Sequence, residues 1–462
     1  MSGLNFTAVE GAIPIHVVCA SDVESFVQTL TPRAQKWLST VSFAGKKGQV
    51  AMVPDQSGAL ECCVLGVGEA EDAWSFGALP SQLPSGEYCF ATAVDASLSY
   101  QRALAWALGC YRFDAYKATP PIEAHLYVPP EVDRLALESL VSSVYLVRDL
   151  VNTPTEDLGP QELSAVVSEV AKELGAEYRE IVGEDLLKEN YPLVYHVGKG
   201  SVLKPRLAEL CWGDPDAPLL ALVGKGVCFD AGGLQIKTTN GMKDMKKDMG
   251  GAAHALALTR LIIQANLPVR LRLLVPCVEN SVSGSAYRPG DILPSRQGSS
   301  VEITNTDAEG RLIMADALTS QVEKSPDLLI DFATLTGAGR IALGPDIPAL
   351  MSNRHDMLLK VLDVSHQVDD PVWPLPLYKA YESFLDSDLA DIANAASQPY
   401  GGAITAGLFL QHFVPNSVPW LHLDLMAANI SSRPGRPLGG EAQGLQTMLA
   451  FCSAFFKVPV AS

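Results

Sequence analysis

The segment Leu219–Lys237 reads LLALVGKGVCFDAGGLQIK and starts as an apolar strand that ends in charged residues. Charged side chains rarely lie inside apolar strands, yet Lys225 and Asp230 stand at the end of this one. Lys237 follows beyond a Gly232–Gly233 turn. Open α/β sheets place their binding sites outside the carboxyl ends of their strands. The segment therefore predicts a sheet strand with a functional site at its end.

The rest of the chain alternates short apolar runs with helical patterns, which is typical of the α/β class. We predict a smaller α/β domain over residues 1–128 and a larger one over residues 160–462. Residues 129–159 contain a long helical pattern that Thr153-Pro154 closes, and we predict a linker helix there. A length of 462 residues suits two such domains.

The overall charge disfavours one broad class of partner. The formal net charge is -18, and no dense stripe of Lys and Arg appears. Binding to nucleic acids depends on basic groups that neutralise phosphates and release counterions. Nucleic acid is therefore disfavoured as a partner.

The cysteines and the N-terminus indicate a cytoplasmic protein. The nine cysteines are an odd number without CxxC spacing, so we expect reduced thiols. The first residues, MSGLNFTAVEGAIPIHVVCAS, lack the basic head and the apolar stretch of a signal peptide. No later segment stays apolar for long enough to cross a bilayer, so we expect no membrane association.

Further acidic residues stand where other helices are predicted to begin. Asp248 directly precedes the small-residue run MGGAA, and Asp307 and Glu309 lie two residues apart in the segment NTDAEGRL. Positions two apart in an extended segment point to the same side. Carboxylates that would otherwise repel one another can lie close together when they bind divalent cations, which prefer oxygen ligands. Four acids favour two metal ions that share carboxylates and activate a water.

Each of these residues also has a plainer interpretation when taken alone. Asp248 suits a helix N-cap, and Asp307 with Glu309 suits a turn followed by an acid in the first helical turn. Lys225 and Lys237 could be ordinary lysines that bury their stems and expose their charges. Their joint position at successive strand ends favours the metal site.

Four segments together resemble the leucine aminopeptidase family of two-metal peptidases, the cytosolic leucyl aminopeptidases. They are VGKGVCFDAGGLQIK, MKDMKKDMGGAA, NTDAEGRL and DFATLTGA, in this order. The resemblance covers about residues 150–462, whereas residues 1–128 fit the family only by position and type. It implies a larger C-terminal α/β catalytic domain with a central mixed sheet flanked by helices, and a homohexamer.

The resemblance also implies a set of metal ligands. Lys225, Asp230, Asp248 and Glu309 would hold the tighter metal ion, and Asp230, Glu309 and Asp307 would hold a more exchangeable one. Zinc is usual in the family, and manganese or magnesium can occupy the exchangeable site. A lysine binds a metal only after it loses its proton, so the metals would have to depress the pKa of Lys225 far below its usual value.

The implied reaction releases the N-terminal amino acid from peptide substrates. One metal would bind the free α-amine, and the other metal and Lys237 would polarise the scissile carbonyl. A metal-bridging hydroxide would attack, and Arg311 would hold a bicarbonate ion that acts as the general base. A DNA-binding protein and an inactive scaffold remain alternatives. The acidic composition disfavours the first, and the presence of every implied site residue disfavours the second.

The resemblance further implies a pocket for the substrate's N-terminal side chain. Met245, Thr334 and Gly337 match its lining, and the Leu335 carbonyl would bind the substrate. Met426 stands where many relatives have a small residue. We therefore expect a narrower or repositioned pocket in which leucine is not the best substrate.

Two histidines are interpreted as structural rather than functional. His422 and Asp424 in WLHLDL have the spacing of a ligand pair, but a hydrogen-bonded structural histidine is favoured there. His254 lies within the helical run that follows Asp248 and is expected to be a satisfied helix residue.

Overall fold

The computed structural model describes residues 3–456 of the chain. They form two compact units. The first comprises residues 3–145 together with the segment Ser431–Leu438, and the second comprises Leu146–Ile430 and residues 439–456. Ser431–Leu438 thus groups with the first unit, although its position in the sequence lies far inside the predicted C-terminal domain. That grouping depends on contacts between segments distant in sequence.

The first unit is built on a six-stranded sheet with the order β1-β6-β5-β2-β4-β3, in which only β3 runs antiparallel to its neighbour. Its strands are β1 (Leu4–Asn5), β2 (Ile13–Cys19), β3 (Val50–Pro54), β4 (Leu60–Gly68), β5 (Gly86–Phe90) and β6 (Ala124–Tyr127). Its helices are α1 (Val23–Thr29), α2 (Pro32–Thr40) and α3 (Ala96–Gly109).

Strand β4 shows why this unit folds as a layered α/β structure. It buries six consecutive residues, Cys62–Val67. A strand that is apolar on both faces must be covered on both faces, which parallel sheets achieve with helices. The cysteines of this strand are therefore core residues.

The long helix predicted between the domains is present as α4 (Arg134–Asn152). It ends just before Thr153-Pro154, because the residue before a proline is disfavoured in the helical conformation. The division between the two units falls within this helix, after Tyr145. No helix in residues 3–456 is both long enough and apolar enough to cross a membrane.

The second unit is built on a nine-stranded mixed sheet with the order β16-β15-β18-β14-β9-β11-β8-β7, and β10 also pairs with β11. Smaller sheets join β12-β13-β17 and β19-β20. The strands are β7 (Glu177–Val182), β8 (Arg206–Trp212), β9 (Leu219–Gly224), β10 (Gly226–Asp230), β11 (Arg270–Asn280), β12 (Ile292–Pro294), β13 (Ser300–Glu302), β14 (Leu328–Ala333), β15 (Ala349–Ser352), β16 (Trp373–Pro374), β17 (Ile392–Ala393), β18 (Trp420–Asp424), β19 (Ala428–Asn429) and β20 (Gly439–Gly440).

Ten α-helices accompany these strands within the described part of the second unit. They are α5 (Pro160–Leu174), α6 (Asp185–Lys188), α7 (Pro192–Gly198), α8 (Thr239–Met242), α9 (Gly250–Gln264), α10 (Gly310–Val322), α11 (Gly337–Leu343), α12 (His355–Gln367), α13 (Gly402–His412) and α14 (Leu445–Phe455). Helices α9 and α10 are almost fully buried. The predicted α/β class, with a mixed sheet flanked by helices, is confirmed.

The sheet order brings several chain segments to one edge. Strand β14 pairs in parallel with both β9 and β18, and β11 pairs in parallel with both β9 and β10. The carboxyl ends of parallel strands meet at the same edge of a sheet. Lys225 follows β9, Asp230 ends β10, Thr334 follows β14 and Asp424 ends β18. This edge therefore collects the chemically distinctive residues of the chain.

Candidate active site

A cavity of about 540 Å³ opens at this edge of the large sheet. It contains nearly all of the site residues predicted from the sequence. The predicted residues that line it are Lys225, Asp230, Lys237, Met245, Asp248, Asp307, Glu309, Arg311, Thr334, Leu335 and Gly337. Met426 is not among the lining residues.

Lys225 lies at the centre of the acidic cluster. Its Nζ is 2.7 Å from Asp248 Oδ2 and 3.0 Å from Glu309 Oε1, and it donates to the Thr334 carbonyl at 3.2 Å. Burial lowers the pKa of Lys225, but the neighbouring carboxylates outweigh burial and hold its pKa above the ordinary value. Without metal ions the amine is therefore a cation that neutralises the acids.

Lys237 contacts the other two carboxylates of the cluster, those of Asp230 and Asp307. Its Nζ lies 2.7 Å from Asp230 Oδ2 and 2.5 Å from Asp307 Oδ1. Burial lowers the pKa of Lys237, but Asp230 and Asp307 together raise it to a net value above the ordinary one. Each lysine thus bridges two acids that come from different segments of the chain.

Glycines allow this close packing at two points. A Cβ atom on Gly310 would lie 2.4 Å from Lys225 Cε, so only glycine leaves room for the lysine beside the start of α10. Gly232 has a φ of +89°, a conformation that residues with side chains rarely adopt. Its turn lets the Gly232 amide donate to Asp230 Oδ1 at 2.9 Å.

The acidic groups fit bound divalent cations. Asp230, Asp307 and Glu309 each offer a carboxylate oxygen, and these oxygens lie within 4.8 Å of one another. Burial, followed by the repulsion of Asp248, raises the pKa of Asp230 to about 6, and burial raises the pKa of Glu309 well above its usual value. Glu309 Oε2 is buried without a hydrogen-bond partner among residues 3–456. An unpaired buried carboxylate oxygen is unfavourable, and a metal ion would satisfy it.

The plainer interpretations of the acids do not match their contacts. Glu309 occupies the N-cap position of α10, but its side chain makes no capping hydrogen bond. Asp248 belongs to the 3₁₀ helix Met245–Met249, and its Oδ1 accepts a hydrogen bond from Thr334 Oγ1 at 2.8 Å. Both carboxylates face the cluster around Lys225 rather than the ends of helices.

Arg311 is buried at the start of α10, beside Glu309. Its Nη1 donates to the Asn394 carbonyl at 2.9 Å, and its Nε has no hydrogen-bond partner in the described part of the chain. Burial lowers the pKa of Arg311 to about 10, so the guanidinium stays charged at neutral pH. A buried cation with an unused donor is suited to hold a small anion.

Two asparagines that sequence reasoning missed hold the acidic loops in place. Asn394 Oδ1 accepts from the amides of Thr304 and Asn305 at 2.9 and 3.1 Å, and its Nδ2 donates to the carbonyls of Asn305 and Ala308 at 2.7 and 3.3 Å. Asn280 Nδ2 donates to Asp230 Oδ1 at 2.8 Å. No local pattern around either asparagine marks these contacts.

The wall formed by residues 334–340 is fixed by Asp424. Its carboxylate accepts from the amides of Leu335 and Thr336 at 2.9 and 3.1 Å and from Thr336 Oγ1 at 2.5 Å. Asp424 therefore positions the loop that carries the predicted pocket residues. This anchoring role was also missed at the sequence level.

Two basic residues of the cavity wall were missed as well. Lys247 and Arg340 both line the cavity. Lys247 is buried, which lowers its pKa to about 7, and the nearby charge of Arg340 acts in the same direction. Met426 does not line the cavity, but its sulfur lies 3.2 Å from Arg340 Nη1.

The two histidines are structural, as predicted. His422 Nδ1 lies 2.6 Å from Asp331 Oδ1 in the interior of the sheet. His254 Nδ1 lies 2.7 Å from the Gly250 carbonyl, and its Nε2 accepts from the Gln443 amide at 2.9 Å. Neither residue lines the cavity.

Two family models match the chain in order. Residues 13–129 match the N-terminal domain of M17 aminopeptidases, and residues 145–449 match the catalytic domain of the cytosol aminopeptidase family. Peptidase B of Pectobacterium atrosepticum is 42% identical over 306 residues, which are 64% of this chain and 70% of that protein. A probable cytosol aminopeptidase of Nocardia farcinica is 36% identical over 430 residues, which are 88% of this chain and 84% of that protein.

Solved structures agree with these matches. A cytosol aminopeptidase from Coxiella burnetii has a TM-score of 0.94 and 45% identity, with 97% of this chain and 98% of that chain covered. The bottromycin maturation enzyme BotP, in complex with Mn, has a TM-score of 0.83 and 32% identity, with 91% and 96% covered. Together with the acidic cavity, these matches show that the chain belongs to the cytosol aminopeptidase family and is a metal-dependent aminopeptidase.

Proposed function

We propose that the cavity binds two divalent cations and releases the N-terminal residue of a peptide bound beside them. The observation that carries this proposal is the convergence of four carboxylates on two lysines, with Glu309 Oε2 left unpaired among the described residues. Such a group of buried acids is stabilised by cations and has no evident use in the fold itself.

The proposed ligands of the tighter metal site are Lys225, Asp230, Asp248 and Glu309, and those of the exchangeable site are Asp230, Asp307 and Glu309. Bound metal ions would supply an activated water and positive charge for the α-amine and the scissile carbonyl. We infer that the metals are zinc or manganese, with magnesium possible at the exchangeable site. The oxygen-rich ligand set supports this choice, and so does the Mn bound by BotP.

Lys237 and Arg311 complete the proposed chemistry. The acids around Lys237 keep its amine protonated, so it can place positive charge on the carbonyl oxygen as negative charge develops there. Arg311 is proposed to hold a bicarbonate ion as the general base, and its buried guanidinium with an unused Nε donor supports that role. A base held there could move a proton from the attacking water to the leaving amine.

The remaining parts of the proposal concern the pocket and the assembly. Met245, Thr334 and Gly337 all line the cavity, and Thr334 and Gly337 flank the Leu335–Thr336 segment that Asp424 anchors. This supports their assignment to the side-chain pocket together with the Leu335 carbonyl. A homohexamer and a cytoplasmic location are also proposed. These two rest on the family alone.

The test is hydrolysis of aminoacyl p-nitroanilides by protein stripped with a chelator. Zn²⁺, Mn²⁺ or Mg²⁺ is then added back, with an N-acetylated substrate and the Glu309→Ala variant as controls. We expect activity that returns with metal and disappears in the variant and on the acetylated substrate. Folded wild-type protein that stays inactive with every metal would contradict the proposal.

The DNA-binding alternative gains no support from the families and relatives named above. The inactive-scaffold alternative conflicts with the geometry of the cavity. All of the proposed metal ligands meet there, and the lysines are in contact with the acids.

A further inference from the structure

A second cavity, of about 410 Å³, lies apart from the metal chemistry proposed above. The residues that line it all belong to the first unit and lie within residues 77–82, 108–112 and 432–437. Arg112, Arg433 and Arg436 are among them, and no acidic residue of the described range 3–456 lines this cavity. The chain as a whole carries a formal net charge of -18. A cavity whose charged lining residues are all arginines is therefore a local site of positive potential, suited to an anion.

A tight turn places two of these arginines beside each other. The Arg433 amide donates to the Arg436 carbonyl at 2.8 Å, and the Arg436 amide donates to the Arg433 carbonyl at 2.9 Å. Residues that face each other across an antiparallel pair project their side chains to the same side. Gly435, between them, has a φ of +70°, which glycine adopts readily. The turn therefore presents two guanidinium groups to the same cavity.

The turn packs closely against the rest of the first unit. A Cβ atom on Gly77 would clash with the Gly435 nitrogen, and a Cβ atom on Gly109 would clash with the Gly77 carbonyl oxygen. Only glycine fits at either position, because packed interiors leave no room for an additional carbon atom. Backbone thus packs directly on backbone here, and the arginines are held on a closely packed frame.

Arg112 and Arg436 are oriented by contacts that leave hydrogen-bond donors available. Arg112 Nη1 donates to the carbonyls of Gly109 and Tyr111 at 3.2 and 2.7 Å, whereas its Nε and Nη2 donate to no residue within 3–456. The Arg436 guanidinium lies over the Trp74 ring, 4.3 Å from the ring centroid, and makes no hydrogen bond in the described part of the chain. A guanidinium that stacks on a ring keeps the donors along its edge for an anion.

We propose that this cavity binds a small phosphate-bearing molecule, a phosphate monoester whose anionic group lies among the guanidinium groups. A phosphate monoester offers three strong acceptor oxygens and close to two negative charges at neutral pH. It can pair with several arginines at once, whereas a carboxylate offers two oxygens and one charge. The volume of about 410 Å³ lies within the range of small-molecule sites, so it also accommodates the organic part of the ester.

The test is calorimetric titration of the metal-loaded protein with phenyl phosphate, and benzoate serves as the carboxylate with the same ring. Phenyl phosphate should bind at least about 10-fold more tightly than benzoate, as for an additional charge-assisted hydrogen bond. Arg112→Met and Arg436→Met should each weaken the binding of phenyl phosphate at least about 10-fold. Neither arginine lines the acidic cavity, so any phenyl phosphate bound at the metal ions is the same in both variants.

Arg134→Met is the matched control. Arg134 also lies over an aromatic ring, 4.6 Å from the Phe6 centroid, but it does not line the basic cavity. This variant should keep the affinity of the wild type for phenyl phosphate. Ser81→Asp is an independent second variant, because Ser81 is an exposed residue of the lining. The added negative charge should repel the ligand and weaken its binding at least about 10-fold without changing buried packing.

Three results would overturn the inference. One is unchanged affinity for phenyl phosphate in both Met variants and in Ser81→Asp. Another is equal affinity of the wild type for benzoate and phenyl phosphate, which would indicate general attraction of anions. The third concerns the source of the phosphate group: a DNA duplex that binds more tightly than phenyl phosphate, and loses affinity in the same variants, would contradict a small-molecule site.

Discussion

Replacement of Asn394 by alanine should loosen the loop that carries Asp307 and Glu309. The Asn394 side chain is fully buried and makes four hydrogen bonds to the backbone of residues 304, 305 and 308. Each such bond contributes about 0.5–1.5 kcal/mol net, which gives a range of about 2–6 kcal/mol. The bond to Ala308 is long at 3.3 Å, and the exposed Thr304 can regain water. We therefore expect a loss of about 3 kcal/mol in the free energy of unfolding.

The metal site should weaken along with the loop. Groups that orient metal ligands typically change metal affinity by about 10- to 100-fold when they are removed. Denaturant unfolding measures the stability change, and calorimetric titration with Mn²⁺ measures the affinity. Asn353→Ala is the matched control, because Asn353 makes two backbone hydrogen bonds, to Val418 and Trp420, and does not line the cavity.

Asn353→Ala should lower the free energy of unfolding by about 1.5 kcal/mol, half the loss expected for Asn394→Ala, and should leave the Mn²⁺ affinity unchanged. A free energy of unfolding for Asn394→Ala within about 1 kcal/mol of the wild type, together with unchanged Mn²⁺ affinity, would refute the supporting role of Asn394. Equal effects of the two substitutions on Mn²⁺ affinity would also refute it, because the loss would then be a general effect of lower stability.

Each of three further predictions concerns one buried residue. Gly310→Ala should weaken metal binding at least about 10-fold in calorimetric titration, because the new Cβ would push Lys225 away from Asp248 and Glu309. Unchanged metal affinity would contradict the predicted displacement of Lys225. Metal binding should release at least one proton, because the pKa of Lys225 is raised and a lysine ligand must be neutral. Calorimetric titrations in buffers of different ionisation enthalpy measure this release. Equal heats of metal binding in all buffers would contradict it. Burial lowers the pKa of His254 from 6.5 to about 4, so its contribution to stability is complete above pH 6.5 and is lost as the pH falls towards 4. The loss is up to about 3 kcal/mol, and His254→Gln should flatten the pH dependence of unfolding.

The local signatures explain why most of the site could be predicted. Asp307, Glu309 and Arg311 lie within five consecutive residues, and Lys225 and Asp230 flank one strand. Their relative positions depend mainly on local backbone geometry, which short-range sequence patterns express. The cavity accordingly contains all of these residues.

The partners of these residues could not be predicted in the same way. Asn394 reaches the loop of residues 304–308 from β17's end, and Asp424 reaches Leu335 because β18 lies beside β14. The sequence around a single asparagine or aspartate does not indicate which residue, about ninety positions away, its side chain will contact. The same holds for Lys247 and Arg340, whose shared cavity appears only once the 3₁₀ helix and α11 are placed.

The amino-acid sequence by itself determined the α/β class, the acidic and lysine-bearing strand ends and the family of the protein. Those properties depend on residue periodicity and on short motifs, both of which are local. Only the tertiary structure decided which side chains support the acids and which basic residues share a cavity with them. Those outcomes depend on the order of strands in the sheet, because neighbouring strands bring residues together regardless of their distance along the chain.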